Sequence, residues 1–551
     1  MKLRRVTPSN QRDRRIALRY SSKRPNVRAV IIILGLLLVA ITAPSASVAK
    51  SKGDIAQSEI QQTQGFRKAV TASGIREHQA ALQAIADVNG ATRASGTPGF
   101  DRSAEYIAGR ATAAGYAVTL QEFSFPFYRV LAPSVFERVS PDGETYTEGS
   151  AADYTPMTYS GSGDVTASTS HVTANTGGAG CSVDNFAGFP AGNIALIQRG
   201  TCPFATKATN AQNAGAAAVV IYSHIAGPLN GTLGAPGYNI PVIGTTNAIG
   251  VETVALLSSG PVTLHVKTST ESENRTTRNV IAETPGGDPN RVVVVGAHLD
   301  SVIAGPGSND NGSGSATILE IAENFAAQAR EARNKVRFIW FGAEELGLLG
   351  SRHYVRNLSA DQQAQIELML NFDMVGSPNF VRFVYDGDNS AVPVGPGAAA
   401  GPPGSGEIER VFADYFAAQG LASEATAFSG RSDYGPFIAA GVNIPAGGLF
   451  TGAEGIKTAA QAAVYGGTAG APYDPCYHQA CDVFANNSDV GLDQMSDAAA
   501  HATLIFSKRN FVQEPLTMTS AAADAMLRPF SVGGSADAPA PESDHEHAVD
   551  R

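Results

Sequence analysis

Phe338–Gly347 reads FIWFGAEELG: four large apolar residues, two small ones, then two adjacent glutamates. Val336–Phe341 (VRFIWF) has the length and the β-branched and aromatic content of a buried strand, so Glu344 and Glu345 fall just past its end. The arrangement recurs on either side. Val292–Val295 (VVVV) runs into Gly296-Ala297-His298-Leu299-Asp300, and Ile366–Phe372 (IELMLNF) runs into Asp373. Ligands of open α/β sheets bind at the carboxyl ends of the strands. Three core strands that each finish in a metal-capable side chain therefore predict one site at one sheet edge. The alternation of strand and helix after Asn279 predicts an α/β fold, with a mixed central sheet flanked by helices.

The chain of 551 residues is long enough for one large core and a second module. With 43% apolar and 16% charged residues and 58 glycines it reads as globular and loop-rich. Residues 1–49 read as a secretory signal: ten Lys/Arg in a basic start, the uncharged run Ala29–Ala43, then small residues with Ser47-Val48-Ala49 at the cleavage position. That run is shorter than the roughly 20 residues needed to span a bilayer. Arg14-Arg15 leaves twin-arginine export open beside the general route. Cleavage removes ten of 40 basic and one of 50 acidic residues, leaving a formal charge of −19. Such a surface repels nucleic acid. The expectation is a secreted monomer with no stable membrane association once the signal is removed.

Residues 50–131 read as helix (Ala80–Val88), a turn-rich TRASGTPGF, helix (Ser103–Ala114) and a strand-like YAVTLQEF. From 132 to 270 the texture changes to short β-rich runs, among them NIALIQRG and AAAVVIYS, which predicts an inserted β-rich domain. Residues 271–515 carry the chemistry, and 516–551 read as a polar, disordered tail. The four cysteines fall as two local pairs, Cys181 with Cys202 and Cys476 with Cys481, and disulfides suit an exported chain.

Asp310 sits in the glycine-rich loop SVIAGPGSNDNGSGSA, just before a helix with Ile318, Ile321 and Phe325 on one face. The loop lacks the Gly-Lys-Ser/Thr ending of a phosphate cradle. Far downstream, DPCYHQACD places His478 between Cys476 and Cys481, where a disulfide would fix the direction of its ring. Two imidazoles and several carboxylates suit Zn²⁺, Mn²⁺ or Co²⁺, and carboxylates in excess of one ion's needs suggest two ions that share one of them. Neighbouring side chains cannot point the same way, so one glutamate of the pair can ligate while the other moves protons. No G-x-S-x-G elbow and no H-E-x-x-H helix motif occurs.

Taken together, GAHLDS, SNDNGSGSA, FGAEELGLLGS, NFDMVG, SGRSDYGPF and CYHQACD resemble the co-catalytic di-zinc aminopeptidases of the bacterial leucyl aminopeptidase and aminopeptidase Y type. NIALIQRGTCPFATKATNAQNAGAAAVVIY resembles the protease-associated (PA) domain inserted in some members. The resemblance implies two Zn²⁺ per chain: His298 and Asp373 on one, Glu345 and His478 on the other, Asp310 bridging. It implies Glu344 as general base, Tyr477 as donor to the developing oxyanion, Asp300 as the partner orienting His298, and Arg431 as part of the pocket for the free amine. The implied substrates are peptides with a free N-terminus and a large apolar first residue. The insert itself reads as a lid or docking module that limits substrate access, with a mere spacer as the alternative. A metallocarboxypeptidase or a one-zinc glutaminyl cyclase of the same fold, and an inactive receptor-like relative, are the alternatives.

Overall fold

The computed structural model describes residues 52–174, 178–326 and 332–511; the expected signal and tail lie outside the described residues. At the centre lie four adjacent, mutually parallel strands, in the order Ala446–Phe450, Ile366–Phe372, Asp288–His298 and Asn334–Phe341. Parallel strands are covered on both faces, which is why VVVV is unbroken rather than alternating. Val293 and Val295 join Phe338, Trp340, Leu368 and Leu370 on one face, while Val292 and Val294 join Ile339, Phe341 and Met369 on the other. Trp340 is fully buried and donates its Nε1–H to the Ser315 carbonyl at 3.0 Å, so the core's one indole dipole is satisfied.

Helices cover the first face with Phe66, Leu82, Phe100, Ile318, Phe412 and Leu492; Tyr354 and Phe437 cover the second. Because the four strands are parallel, their carboxyl ends share one edge. Phe341 pairs with His298, and Asn371 with Gly296, so the segments expected to carry the site emerge side by side.

Ala117–Ser140 and Thr263–Glu283 form one long antiparallel pair, from Ala117 against Glu283 to Ser140 against Thr263. At one end Val280 pairs with Trp340; at the other Thr268 pairs with Gly163. The catalytic part and the insert thus share a continuous 14-stranded sheet. The expected limits at 132 and 270 fall inside these two strands. The strand-like YAVTLQEF continues to Ser140 past Pro126 and Pro133. A register shift between Ala132 and Val135 absorbs Pro133, as bulges do for residues that cannot join the ladder.

The insert is less purely β than expected. Gly163–Val172, Ile194–Gln198, Ala218–Tyr222 and Val242–Thr245 are parallel neighbours; helix Phe204–Asn213 connects the second to the third, and helix Asn247–Ser259 leads from the fourth back to Thr263–Glu283. The expected helices also begin earlier. Ala72–Val88 starts behind Thr71, whose hydroxyl accepts from Gly74 N, and Pro98–Ala113 starts inside TRASGTPGF because Pro98 suits the first helical turn. Helix Lys52–Arg67 had no counterpart in the reading. Both disulfides form as paired, Cys181–Cys202 and Cys476–Cys481. Among the described residues no helix is long and apolar enough to cross a membrane.

His501 ties the first and last helices together. Its ring is 2% exposed, with Nδ1 2.8 Å from Thr63 Oγ1. Burial, helped by the positive charges of Arg67 and Arg509, lowers its pKa to about 3. An unfolded histidine titrates near 6.5, so this contribution to stability is complete above about 6.5 and is lost as pH falls toward 3. The stability of the wild type should therefore fall more steeply than that of His501→Gln on acidification through this window, by up to about 1.4 kcal/mol per pH unit. Urea midpoints at fixed ionic strength measure this; parallel slopes would refute it.

Candidate metal centre

The strand ends deliver their side chains through strained turns. Ala343 before Glu344, Met374 after Asp373, and His478 itself adopt φ of 55°, 51° and 57°. Each such non-glycine conformation costs on the order of 1–3 kcal/mol and persists only where surrounding contacts impose it. Those contacts are visible. Asp300 accepts Glu344 N–H at 3.1 Å and Glu345 N–H at 3.4 Å on its two carboxylate oxygens, which fixes the double-glutamate turn. Asn311 Oδ1 accepts from Met374 N–H and Gly314 N–H, and its Nδ2 donates to the Phe372 carbonyl, which ties the glycine-rich loop to the strand end carrying Asp373. Gly314 allows that approach, since a Cβ there would stand 2.1 Å from the Phe372 carbonyl oxygen. The Asp310–Asn311 peptide is cis.

Five expected ligand residues converge. Asp310 is divided between the two imidazoles: Oδ1 lies 3.3 Å from His298 Nε2, and Oδ2 lies 3.2 Å from His478 Nε2. Asp373 Oδ1 is 3.2 Å from His298 Nε2, and Glu345 Oε2 is 3.0 Å from His478 Nε2. Glu344 Oε2 is 4.0 Å from His298 Nε2. All but His478 are at most 8% exposed. The remaining Glu345 oxygen, Oε1, is buried without a hydrogen-bond partner among the described residues. His298 donates Nδ1–H to the backbone carbonyl of Asp300 at 3.2 Å, because a carbonyl can only accept, and this turns Nε2 toward Asp373 and Asp310. Asp300 does meet His298, but by its carbonyl, since its carboxylate is occupied by the glutamate turn and stands 3.8 Å from the ring.

Burial pushes the Glu344 carboxyl well above its ordinary range, and the carboxylates of Asp433, Asp373 and Glu345 add to the shift. Burial and Asp310 likewise bring Glu345 to about 7. His478 is desolvated, yet Glu345 and Asp310 outweigh that and raise it to about 11. Asp310 is held low despite its burial, by its hydrogen bonds to His298 and His478. Buried imidazoles against surplus buried carboxylates, with donor atoms 3.0–3.3 Å apart and an orphaned carboxylate oxygen, fit a hard-to-borderline divalent cation such as zinc.

The Cys476–Cys481 loop presents Tyr477 and His478 together, with ring centroids 3.8 Å apart. Arg431 Nη2 donates to the Tyr477 hydroxyl at 3.1 Å while Nη1 pairs with Glu454 at 2.7 Å. Burial, and then the Asp310 and Glu345 carboxylates, raise the Tyr477 pKa, so the phenol keeps its proton. These groups line one pocket of about 310 Å³ together with Phe383, Tyr385, Phe450 and Tyr473. No described residue of 132–270 is among its lining.

Several supporting residues escaped the sequence reading. Asp482 accepts the N–H groups of Asn309 and Asp310 at 2.8 and 2.9 Å, and Asp474 accepts from Asn309 Nδ2 at 2.7 Å. They bracket DPCYHQACD, and that symmetry was the available signal. Ser432 donates to Asp373 Oδ2 at 2.7 Å, and buried Arg93 donates to the carbonyls of Leu299, Pro306 and Gly307. The aromatics Phe383, Tyr385 and Phe450 carried no signal, because their strands are only three to five residues long, and Tyr473 lies in a loop.

The family described as peptidase family M28 matches residues 279–503, and the PA domain matches residues 163–253. An aminopeptidase of Pseudomonas aeruginosa (strain UCBPP-PA14) is 46% identical over 451 residues, covering 80% of this chain and 81% of its own. A probable leucine aminopeptidase 2 of Aspergillus fumigatus is 43% identical over 392 residues, covering 70% and 76%. The solved structure of a zinc aminopeptidase from Bacillus subtilis superposes with a TM-score of 0.51 at 27% identity, covering 80% of this chain and 96% of that one.

An imidazole must be neutral to bind a metal ion. With His478 protonated up to about pH 11, loading zinc at neutral pH should expel protons, and zinc affinity should fall as pH falls. Calorimetry of Zn²⁺ addition in buffers of different ionisation enthalpy should show net proton release at pH 7; a heat independent of the buffer would contradict it.

Proposed function

The chain belongs to peptidase family M28 and is a zinc metallo-aminopeptidase, and from that premise we propose that it is a secreted enzyme with two zinc ions, removing large apolar residues from peptide N-termini. One observation carries the proposal: the Asp310 carboxylate offers one oxygen toward each imidazole, at 3.3 and 3.2 Å, as a bridging ligand would. His298 and Asp373 would hold one zinc, Glu345 and His478 the other, with Asp310 common to both. Bound there, zinc supplies polarisation of the scissile carbonyl and acidification of water.

The protein's own groups do the rest. Glu344 takes the proton of the attacking water and passes it to the leaving amine; its raised affinity for protons matches a group that must accept one and give it back near neutral pH. Tyr477, whose oxygen already accepts from Arg431, has its own proton free to donate to the oxyanion. Arg431 belongs to the pocket by holding Tyr477. A guanidinium repels an ammonium, so the substrate's amine is received by the surrounding carboxylates, with Glu454 at the rim. Phe383 stacks on Phe450 at 6.0 Å and meets Tyr473 edge-on at 5.5 Å, a rigid apolar wall suited to a leucine-like first side chain. The paired disulfides and the acidic surface left after loss of the signal accord with export.

Aminoacyl p-nitroanilides assayed before and after chelation test the reading, and undiminished turnover after zinc removal would end it. Glu344→Gln should keep its zinc and lose kcat by about 10²–10⁴-fold; near-normal kcat would strip Glu344 of its role. Tyr473→Ala should lower kcat/KM for leucyl p-nitroanilide about tenfold more than for alanyl p-nitroanilide, the worth of a few apolar contacts. Equal losses on both substrates would place the apolar wall elsewhere.

A further inference from the structure

Away from the catalytic edge, two helices bring a second donor set together. His78 lies on helix Ala72–Val88, and Glu320 and Glu323, three residues apart and so on one face, lie on helix Gly312–Ala326. One donor atom each of His78, Glu320 and Glu323 lies within 4.8 Å of the other two. The imidazole is 1% exposed, and Nε2 has no hydrogen-bond partner among the described residues. It stands 3.6 Å from Glu320 Oε2 and 3.8 Å from Glu323 Oε2, beyond hydrogen-bond range. Two ligand atoms each about 2.1 Å from one zinc-like cation and ~110–120° apart are separated by roughly 3.4–3.6 Å. The 3.6 Å between His78 and Glu320 is that of donors around an ion, and the 3.8 Å to Glu323 is slightly longer.

The surroundings are organised as they are around bound metals. His78 Nδ1 is 2.8 Å from the Tyr106 hydroxyl, and with Nδ1–H donated there, Nε2 turns its lone pair to the carboxylates. Arg110 orients Glu323 through two hydrogen bonds, from Nε at 2.5 Å and Nη2 at 2.6 Å. Glu320 Oε1 accepts from Thr71 N–H at 3.4 Å. Gly74 makes room for the Glu320 carboxylate, since a Cβ at that position would lie 2.3 Å from Oε1. Eight residues, roughly 12 Å of helix rise, separate Glu320 from Gly312 beside the catalytic loop.

We propose that His78, Glu320 and Glu323 form a second metal site, which binds one divalent transition-metal cation of the zinc class and clamps helix Ala72–Val88 to helix Gly312–Ala326. The ion is structural. The helix it grips begins two residues after Asp310, so the clamp braces the catalytic loop from behind.

Wild type, His78→Gln and Glu320→Gln, each dialysed against Zn²⁺ and freed of loose ion by gel filtration, should differ by one zinc per chain in elemental analysis. The comparison is a difference, so it stands whatever number the catalytic centre holds. Added Zn²⁺ should raise the melting temperature of the wild type more than that of either variant, while zinc-saturated kcat stays within about twofold. If His78→Gln does not fold, Glu320→Gln carries the comparison. Equal zinc content in wild type and folded variants would overturn the proposal and leave an ion pair alone.

Discussion

The buried carboxylate of Asp310, set between two imidazoles, is the contact around which the catalytic edge is arranged. A carboxylate removed from water is costly unless it is paired and hydrogen-bonded. Here the two histidines supply the pairing, and Asp482 anchors the backbone N–H groups of Asn309 and Asp310. His298 comes from a central strand and His478 from a loop 180 residues downstream, so the same carboxylate that would bridge two ions also joins distant parts of the chain. The disulfide loop, the glycine-rich loop and the double-glutamate turn are each held by backbone hydrogen bonds to carboxylates that do not face the pocket. Metal-capable groups are thereby fixed at their backbones, with their side chains lining the pocket.

The central strands were legible because parallel strands buried on both faces produce unbroken apolar runs, as in VVVV and VRFIWF. The sheet edge was legible for a related reason: charged residues directly after such runs have no structural use in the core. What stayed hidden depends on contacts between segments far apart in sequence. Arg93 sits in a turn-rich stretch that gives no hint it will reach three carbonyls some 200 residues away. Asp300 was legible as a neighbour of His298, but which of its oxygens serves the ring depends on where the Glu344–Glu345 turn lands. Phe383, Phe450 and Tyr473 come from short strands and a loop, and only the fold makes them one wall.

YAVTLQEF is strand-like in sequence, but the long antiparallel pair continues past it to Ser140 and bends around Pro133 with a register shift. Its catalytic half is not a passive connector. Phe123, Phe125 and Phe127 form a cluster with Ala343, the residue whose positive φ aims Glu344, and Arg275 lies 3.7 Å over the Phe127 ring. The strand leading toward the insert therefore also supports the turn on which the proposed base sits.

That shared ladder changes what kind of part the insert is. A module on a flexible linker can be excised or exchanged with little effect on its host. Here a cut at 132 and 270 would sever both strands of one hydrogen-bonded ladder mid-course, next to the paired positions Val130 and Thr270. In engineering terms the insert is a graft grown into the beam of the enzyme, and swapping it calls for a donor whose paired strands continue the same register.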